Sequence, residues 1–205
     1  MIRTIHSLAV TLMFLSTALF LVSFSSIPKR DVEIGKAVPD FSLKGIDGKS
    51  YSLSQHKGKI VVLEWSNPNC PFVQRVYRES IMQGVQKKYA RKVVWLAINS
   101  TNPGHQDYES AEALSKKYEA WGASYTAYLM DPEGTVGHMY DAKSTPHMFV
   151  INQEGTLVYV GAIDDDPRGS KSQKTNYVDD ALRNLIDGKP IAVATTRSYG
   201  CSIKY

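Results

Sequence analysis

The chain has 205 residues, of which 43% are hydrophobic and 21% are charged, a composition typical of a globular protein with a sizeable core. Lys and Arg number 24 against 20 Asp and Glu, so the formal net charge is +4. The charges are scattered, and none of the runs of about five like charges that mark interaction tails occurs. The composition therefore gives no support for a nucleic-acid-binding protein.

Residues 1–27 differ from the rest of the chain. Arg3 supplies a positive charge, and the stretch from Ser7 to Ile27 carries none. Ser23 and Ser25 are small residues with the spacing of a signal-peptidase site. The uncharged length also approaches the roughly 20 residues that span a bilayer. We therefore expect an exported, extracytoplasmic protein in which residues 1–27 are a signal peptide or a membrane anchor and make the only membrane contact.

The remainder divides into a domain, residues 28–190, and a C-terminal tail, residues 191–205. Hydrophobic periodicity along the domain predicts a hairpin, strand, helix, strand, helix, strand, hairpin and helix, in that order. The runs 60–63 and 93–98 are apolar throughout, as expected for strands buried between layers of helices. Apolar residues at every fourth position from Val73 to Tyr89 predict a helix between them. This order predicts an α/β sandwich with a central mixed sheet and an N-terminal β-hairpin.

The chain contains two cysteines, Cys70 and Cys201, which are too few for a disulfide scaffold. Cys70 lies between a predicted strand and a predicted helix, and Pro71 suits the first turn of that helix. Unpaired N–H groups and the positive end of the helix dipole favour a thiolate there. Cysteine pKa values in such positions fall from about 8.5 towards roughly 3.5–7.5. Since the surrounding residues are typical of a turn rather than of a buried core, we predict a reactive Cys70.

Several short motifs occur in a fixed order between Val38 and about Gly188. They are Val38-Pro39-Asp40-Phe41-Ser42-Leu43, Gly48, Leu53, Gly58-Lys59, the strand Val61-Val62-Leu63, Cys70-Pro71 and Thr145-Pro146. Together they resemble the redoxin and thioredoxin-like family, which includes thiol oxidoreductases and peroxiredoxin relatives. The resemblance implies a thioredoxin-like fold with a central mixed sheet.

The resemblance also implies roles for individual residues. Cys70 matches the nucleophilic cysteine, and Pro146 matches a cis-proline that packs beside its sulfur. The Thr145 backbone would pair with an incoming peptide, so Thr145, Pro146 and Pro71 are the expected substrate-binding residues. Glu64 matches a buried acid that assists proton transfer, although a strand-end carboxylate exposed to water fits the sequence equally well.

The chain departs from the family pattern on both sides of Cys70. Val73 stands where a thioredoxin has its second cysteine, and Asn67 stands where a peroxiredoxin has a threonine. The complete mechanism of a thioredoxin or of a peroxiredoxin therefore cannot be carried over to this chain. An oxidised Cys70 could be resolved by Cys201 or by an external thiol, or the two cysteines could form a static disulfide.

We predict an exported thiol–disulfide oxidoreductase that uses the Cys70 thiolate, with Cys201 as the candidate resolving residue. The alternatives are a thiol peroxidase and a non-catalytic binding module with a structural disulfide. The expected partners are protein or small-molecule thiols and disulfides, or peroxides. The five histidines lack metal-ligand spacing, the run 164–166 of three aspartates favours a solvated loop, and neither a metal nor a cofactor is predicted.

Overall fold

The computed structural model describes residues 32–205, so the predicted export segment 1–27 lies outside the described residues. The described chain has the predicted α/β architecture, a mixed sheet of seven strands with five helices. The strands are β1 (Ser42–Gly45), β2 (Ser50–Ser52), β3 (Ile60–Trp65), β4 (Val93–Asn99), β5 (Ala127–Met130), β6 (Ser144–Thr145), β7 (His147–Ile151), β8 (Leu157–Gly161) and β9 (Cys201–Ser202). The helices are α1 (Pro71–Arg78), α2 (Ile81–Tyr89), α3 (Ala111–Ala120), α4 (Thr135–Met139) and α5 (Tyr177–Ile186). Within residues 32–205, every helix is too short or too polar to span a bilayer.

The seven-stranded sheet has the order β2-β1-β5-β4-β3-β7-β8. Its three central strands, β5, β4 and β3, are parallel, and the other pairings are antiparallel. The predicted N-terminal hairpin lies at one edge and the β7–β8 hairpin at the other. The two remaining strands, β6 and β9, pair with each other and join the residue before Pro146 to the tail.

Alternate residues of the central strands pack on opposite faces of the sheet. Val62 of β3 and Trp95 of β4 lie in the core under α1, α2, α3 and α5. Their neighbours Leu63 and Leu96 lie in the second core, which α4 and the N-terminal part of the domain cover. Both faces are therefore buried, which is why these strands are apolar throughout.

The helix predicted through Tyr89 is interrupted. Ser80 adopts a left-handed conformation with φ of 58°, which separates α1 from α2. The side chain of Gln83 compensates for the break, because its Nε2 donates to the Tyr77 carbonyl at 2.6 Å. The four-residue periodicity continues across the break, since both helices place their apolar residues on the same core.

The C-terminal tail packs along the domain instead of extending into solvent. The Val160 N–H donates to the Ala194 carbonyl, and the Thr196 N–H donates back to the Val160 carbonyl, both at 3.0 Å. Farther along, Cys201 enters β9, and the Lys204 carbonyl accepts from the Asn102 N–H at 2.6 Å. The tail thereby crosses the end of the sheet at which β3 leads into α1.

The core of the second face supplies a direct test of this architecture. Ile98 is fully buried in β4, whereas Ile34 is 38% exposed. We expect Ile98→Ala to lower the free energy of unfolding by about 2–5 kcal/mol, because it removes buried methyl groups and leaves a cavity. Ile34→Ala should stay within about 0.5 kcal/mol of the parent. Urea denaturation of both variants measures the difference, and equal losses would contradict the described burial.

Candidate active site

Cys70 lies at the N-terminal end of α1, in the loop that leaves β3. It is the N-cap residue, and Pro71 occupies the first turn of the helix, as predicted. The loop is held by Asn67, whose Nδ2 donates to Thr101 Oγ1 at 2.8 Å and whose Oδ1 accepts from the Asn69 N–H at 2.7 Å. The Cys70 N–H donates to the Asn67 carbonyl at 3.1 Å. These bonds position the sulfur on a rigid turn.

The expectation of an open turn around Cys70 was wrong in one respect. The residue is only 3% exposed and belongs to the core beneath α1. The loop is a turn, but β6 and the tail strand β9 cover its sulfur from outside. The burial could not be inferred locally because the covering strand is 131 residues away in sequence.

The cis-proline segment lies directly against Cys70. The Thr145–Pro146 peptide bond is cis, in agreement with the expectation from the family resemblance. The Thr145 carbonyl accepts the Cys70 thiol at 2.9 Å. Thr145 and Pro146 are therefore beside the sulfur, although the edge expected to receive a peptide is already paired with the tail.

Cys201 is brought to the same place by that pairing. It lies opposite Thr145 in the β6–β9 register, and its thiol lies beside the Cys70 sulfur. Both cysteines are free thiols. Burial raises the pKa of Cys201 to about 12, and the adjoining Cys70 sulfur adds to the effect. The structure thus places the candidate nucleophile and the candidate resolving residue beside each other.

A small cavity of about 60 Å³ adjoins the two cysteines. Most of the other residues that line it have polar side chains, and they come from the ends of β3 and β4 and from the tail. The polar lining residues include Ser66, Asn67, Asn99, Ser100, Thr101, Asp107, Thr145, Ser202 and Lys204. A space of this size holds a few water-sized groups, so a small polar molecule fits beside the sulfur.

Glu64 is fully buried in β3, so the alternative of a strand-end carboxylate exposed to water was wrong. Its carboxylate accepts from Trp95 Nε1 at 2.8 Å, Tyr77 Oη at 3.0 Å and Gln86 Nε2 at 3.2 Å. Burial raises its pKa, and these hydrogen bonds, with one from the Ser66 hydroxyl, oppose the rise. Ser66 also lines the cavity, so it connects the buried acid to the space beside Cys70.

The aspartate run expected to form a solvated loop is partly buried. Asp164 is only 1% exposed and accepts from Arg75 Nη2, at 3.1 Å to its Oδ2, and from Tyr199 Oη. Arg75 also donates to Tyr199 Oη at 2.7 Å. This cluster was not predicted from the sequence. The one local indication of it was Arg75, which lies between Phe72 and Val76 on the buried side of a helix. The cluster ties α1 to the tail two residues before Cys201.

Comparisons with known proteins agree with this geometry. The AhpC/TSA family model matches residues 34–160. The thioredoxin-like protein YneN of Bacillus subtilis is 30% identical over 148 residues, which cover 68% of this chain and 80% of YneN. The thiol-disulfide oxidoreductase ResA of the same organism is 30% identical over 139 residues, 64% of this chain and 69% of ResA.

Two further similarities concern a peroxiredoxin and a solved structure. Peroxiredoxin Q of Populus jackii is 28% identical over 166 residues, 66% of this chain and 74% of that protein. The crystal structure of a conserved protein from Geobacillus kaustophilus superposes with a TM-score of 0.76 at 30% identity. That match covers 84% of this chain and 92% of the other. The match of fold and sequence over most of the described domain shows that this chain belongs to the AhpC/TSA family of thioredoxin-like oxidoreductase enzymes.

Proposed function

We propose that the protein is a thiol–disulfide oxidoreductase in which Cys70 is the nucleophile and Cys201 is the resolving cysteine. The observation that carries the proposal is that the Cys70 and Cys201 thiols lie beside each other, with Cys70 hydrogen-bonded to the Thr145 carbonyl and Cys201 paired opposite Thr145. Disulfide formation depends on spatial proximity, and the β6–β9 pairing provides it. Membership in an enzyme family argues against the alternative of a non-catalytic binding module.

The proposed cycle transfers two electrons in two steps. The Cys70 thiolate attacks one sulfur of a substrate disulfide, the substrate S–S bond breaks, and one thiolate leaves. Cys201 then attacks the Cys70 sulfur, loses its proton, and expels the second substrate thiol. The substrate is reduced to two thiols and the enzyme is oxidised to a Cys70–Cys201 disulfide. An external thiol donor restores the reduced enzyme.

The contact between the thiols sets the order of these steps. Burial, and after it the adjoining Cys70 sulfur, hold the pKa of Cys201 high, so Cys201 keeps its proton. When Cys70 enters a mixed disulfide, the contribution of Cys70 disappears, whereas that of burial remains. Cys201 therefore becomes more acidic at the stage at which it must attack.

Glu64 is the proposed proton acceptor for this second step. Its raised pKa makes the carboxylate a stronger base than an ordinary glutamate, and the Ser66 hydroxyl joins it to the cavity beside Cys70. The chain of contacts supports transfer of the Cys201 proton inward, away from the leaving thiolate.

A thiol peroxidase is the second candidate, and the small size of the cavity beside Cys70 favours it. In that cycle the Cys70 thiolate attacks a peroxide, the O–O bond breaks, and a sulfenic acid forms while water or an alcohol leaves. Cys201 condenses with the sulfenic acid and water leaves, giving the same disulfide. The similarity to peroxiredoxin Q supports this activity. The two candidates share both cysteines and differ in the oxidant.

We also propose that the protein works outside the cytoplasm. The proposal rests on the positive Arg3 and the uncharged stretch that follows it, which have the pattern of a signal peptide or an N-terminal anchor. The proposed partners are protein or small-molecule thiols and disulfides, or peroxides, and residues 1–27 make any membrane contact.

The division of roles between the cysteines predicts distinct products. With one equivalent of hydroxyethyl disulfide, the reduced parent should lose two hydrogens as Cys70 and Cys201 join. Cys201→Ser should stop at a mixed disulfide on Cys70. Cys70→Ser should react at least about tenfold more slowly, because burial, the largest cause of the raised Cys201 pKa, remains in that variant and leaves little thiolate at neutral pH. Intact-mass spectrometry over time measures all three.

The tail variant Val193→Ala, at an exposed site, serves as the control and should behave like the parent. Equal reactivity of the parent and Cys70→Ser would reverse the assignment of the nucleophile. The Cys201→Ser variant has no second cysteine, so it cannot form an intramolecular disulfide. Persistence of its mixed disulfide would therefore show that Cys201 performs the resolving step.

Glu64→Gln should slow resolution of the mixed disulfide by roughly 10²-fold, since glutamine cannot take up the proton. The loss should shrink as pH rises, because bulk base then deprotonates Cys201. Single-turnover release of 2-mercaptoethanol measures the rate. Glu112→Gln, whose side chain is 78% exposed, is the matched control and should leave the rate unchanged.

The same substitution predicts a pH dependence of stability. Burial raises the folded-state pKa of Glu64 above its ordinary value of 4.5, so folding favours the protonated form. The stability of the parent relative to Glu64→Gln should be greatest below pH 4.5 and should fall as pH rises through the folded-state pKa. Melting temperatures across the pH range measure it, and a constant difference would show that Glu64 has no raised pKa.

A further inference from the structure

We infer that the C-terminal tail occupies the strand position that an incoming polypeptide would need at Thr145, and that Tyr199 and Tyr205 thereby restrict Cys70 to small oxidants. The inference rests on the proposed function, because it concerns the substrates of the same sulfur. It assigns a specificity-determining role to two tyrosines on either side of Cys201.

The first observation is the pairing at Thr145. β9 runs antiparallel to β6, with Cys201 opposite Thr145 and Ser202 opposite Ser144. A polypeptide that added a strand at this edge would need the same backbone groups. The fit is close at Gly200, where φ is 136° and a Cβ atom would collide with the Thr145 carbonyl. The tail is therefore built to lie on this edge.

Tyr199 anchors the tail before Cys201. Its hydroxyl donates to Asp164 Oδ1 and accepts from Arg75 Nη2 at 2.7 Å. Arg75 and Asp164 are 5% and 1% exposed and form a buried ion pair, which limits the motion of this contact. The ring of Tyr199 also lies against Phe72, with a centroid distance of 5.9 Å. The anchor attaches the tail to the helix that carries Cys70.

Tyr205 anchors the tail after Cys201. Its ring stacks on His138 with a centroid distance of 3.9 Å, and its hydroxyl donates to the Ala142 carbonyl at 2.8 Å. The ring lies over Gly134 and Gly137, where added Cβ atoms would collide with it. β9 is therefore held on both sides, and as a strand of only two residues it has few backbone hydrogen bonds of its own.

The consequence for Cys70 is selection by size. With the tail in place, the sulfur is 3% exposed and the space beside it is about 60 Å³. That space admits a peroxide or one end of a small disulfide, but it does not admit a polypeptide strand. A peptide disulfide reaches Cys70 only after β9 has left Thr145. Its reaction with Cys70 is therefore slowed by the free energy needed to detach both tyrosines.

The test compares two oxidants of the reduced protein, hydroxyethyl disulfide and the homodisulfide of a ten-residue peptide. For the parent, we expect the peptide to oxidise Cys70 at least about 100-fold more slowly than the small disulfide. In the double variant Tyr199→Phe/Tyr205→Ala the peptide rate should rise at least about tenfold, while the small-disulfide rate changes less than about threefold. Val193→Ala, an exposed site in the same tail, is the control and should keep the parent ratio.

Equal rates for the two oxidants in the parent, or an unchanged ratio in the double variant, would overturn the inference. Tyr199→Phe alone keeps the ring and the Arg75–Asp164 pair, so it replaces the double variant if that variant does not fold. Its peptide rate should then rise while the small-disulfide rate stays constant, and an unchanged ratio would again overturn the inference.

A redox-independent measurement separates this inference from the proposed function. If neither disulfide oxidises Cys70, the proposed function fails, and alkylation then decides the role of the tail. We expect N-ethylmaleimide to label Cys70 in the parent, and a peptide-linked maleimide to label it at least about tenfold faster in the variant, with the site located by mass spectrometry. Equal labelling of parent and variant by the peptide reagent would overturn the inference.

Discussion

The hydrogen bond between the Cys70 thiol and the Thr145 carbonyl, 2.9 Å long, joins the three parts of the candidate active site. It connects the N-terminus of α1 to the cis-proline segment, and the other edge of Thr145 pairs with Cys201. Each partner comes from a different part of the chain, so the site exists only when β3, β7 and the tail are all in place. The Cys70 loop, the short strand β6 and the tail strand β9 are otherwise short elements with little stability of their own.

Buried polar groups give this site its fixed geometry. Glu64 is held by donors from β4, α1 and α2 beneath the sheet end, and Arg75 is held by Asp164 and Tyr199 above it. Such groups are costly to bury unless they are satisfied, and when satisfied they favour one arrangement over its alternatives. The two clusters therefore fix α1 from both sides, and α1 in turn positions Cys70.

Local patterns in the sequence were sufficient for most of the fold. The apolar runs at 60–63 and 93–98 correspond to central strands because both faces of the sheet are covered. The motif order led to the thioredoxin-like architecture and to the cis bond before Pro146. The split between α1 and α2 was not visible, because the left-handed Ser80 leaves the four-residue spacing unchanged.

The parts of the site that escaped prediction are those built by distant contacts. Cys70 looked exposed because nothing near it in sequence reveals the strand that covers it. Asp164 looked solvated because its partners, Arg75 and Tyr199, lie 89 and 35 residues away. From the sequence, only Cys201 marked the tail as part of the site. In the structure, Tyr199, Tyr205 and the pairing with Thr145 fix the tail segment that contains this cysteine.

The central claim is that Cys70 and Cys201 form one reversible redox pair. Equilibration of the protein in glutathione buffers, followed by rapid alkylation and mass spectrometry, measures it directly. The account predicts a single two-electron transition to a Cys70–Cys201 disulfide, with a tenfold change in the oxidised-to-reduced ratio for every about 30 mV. A glutathione adduct that persists on Cys70 while Cys201 remains a free thiol throughout the range would contradict it.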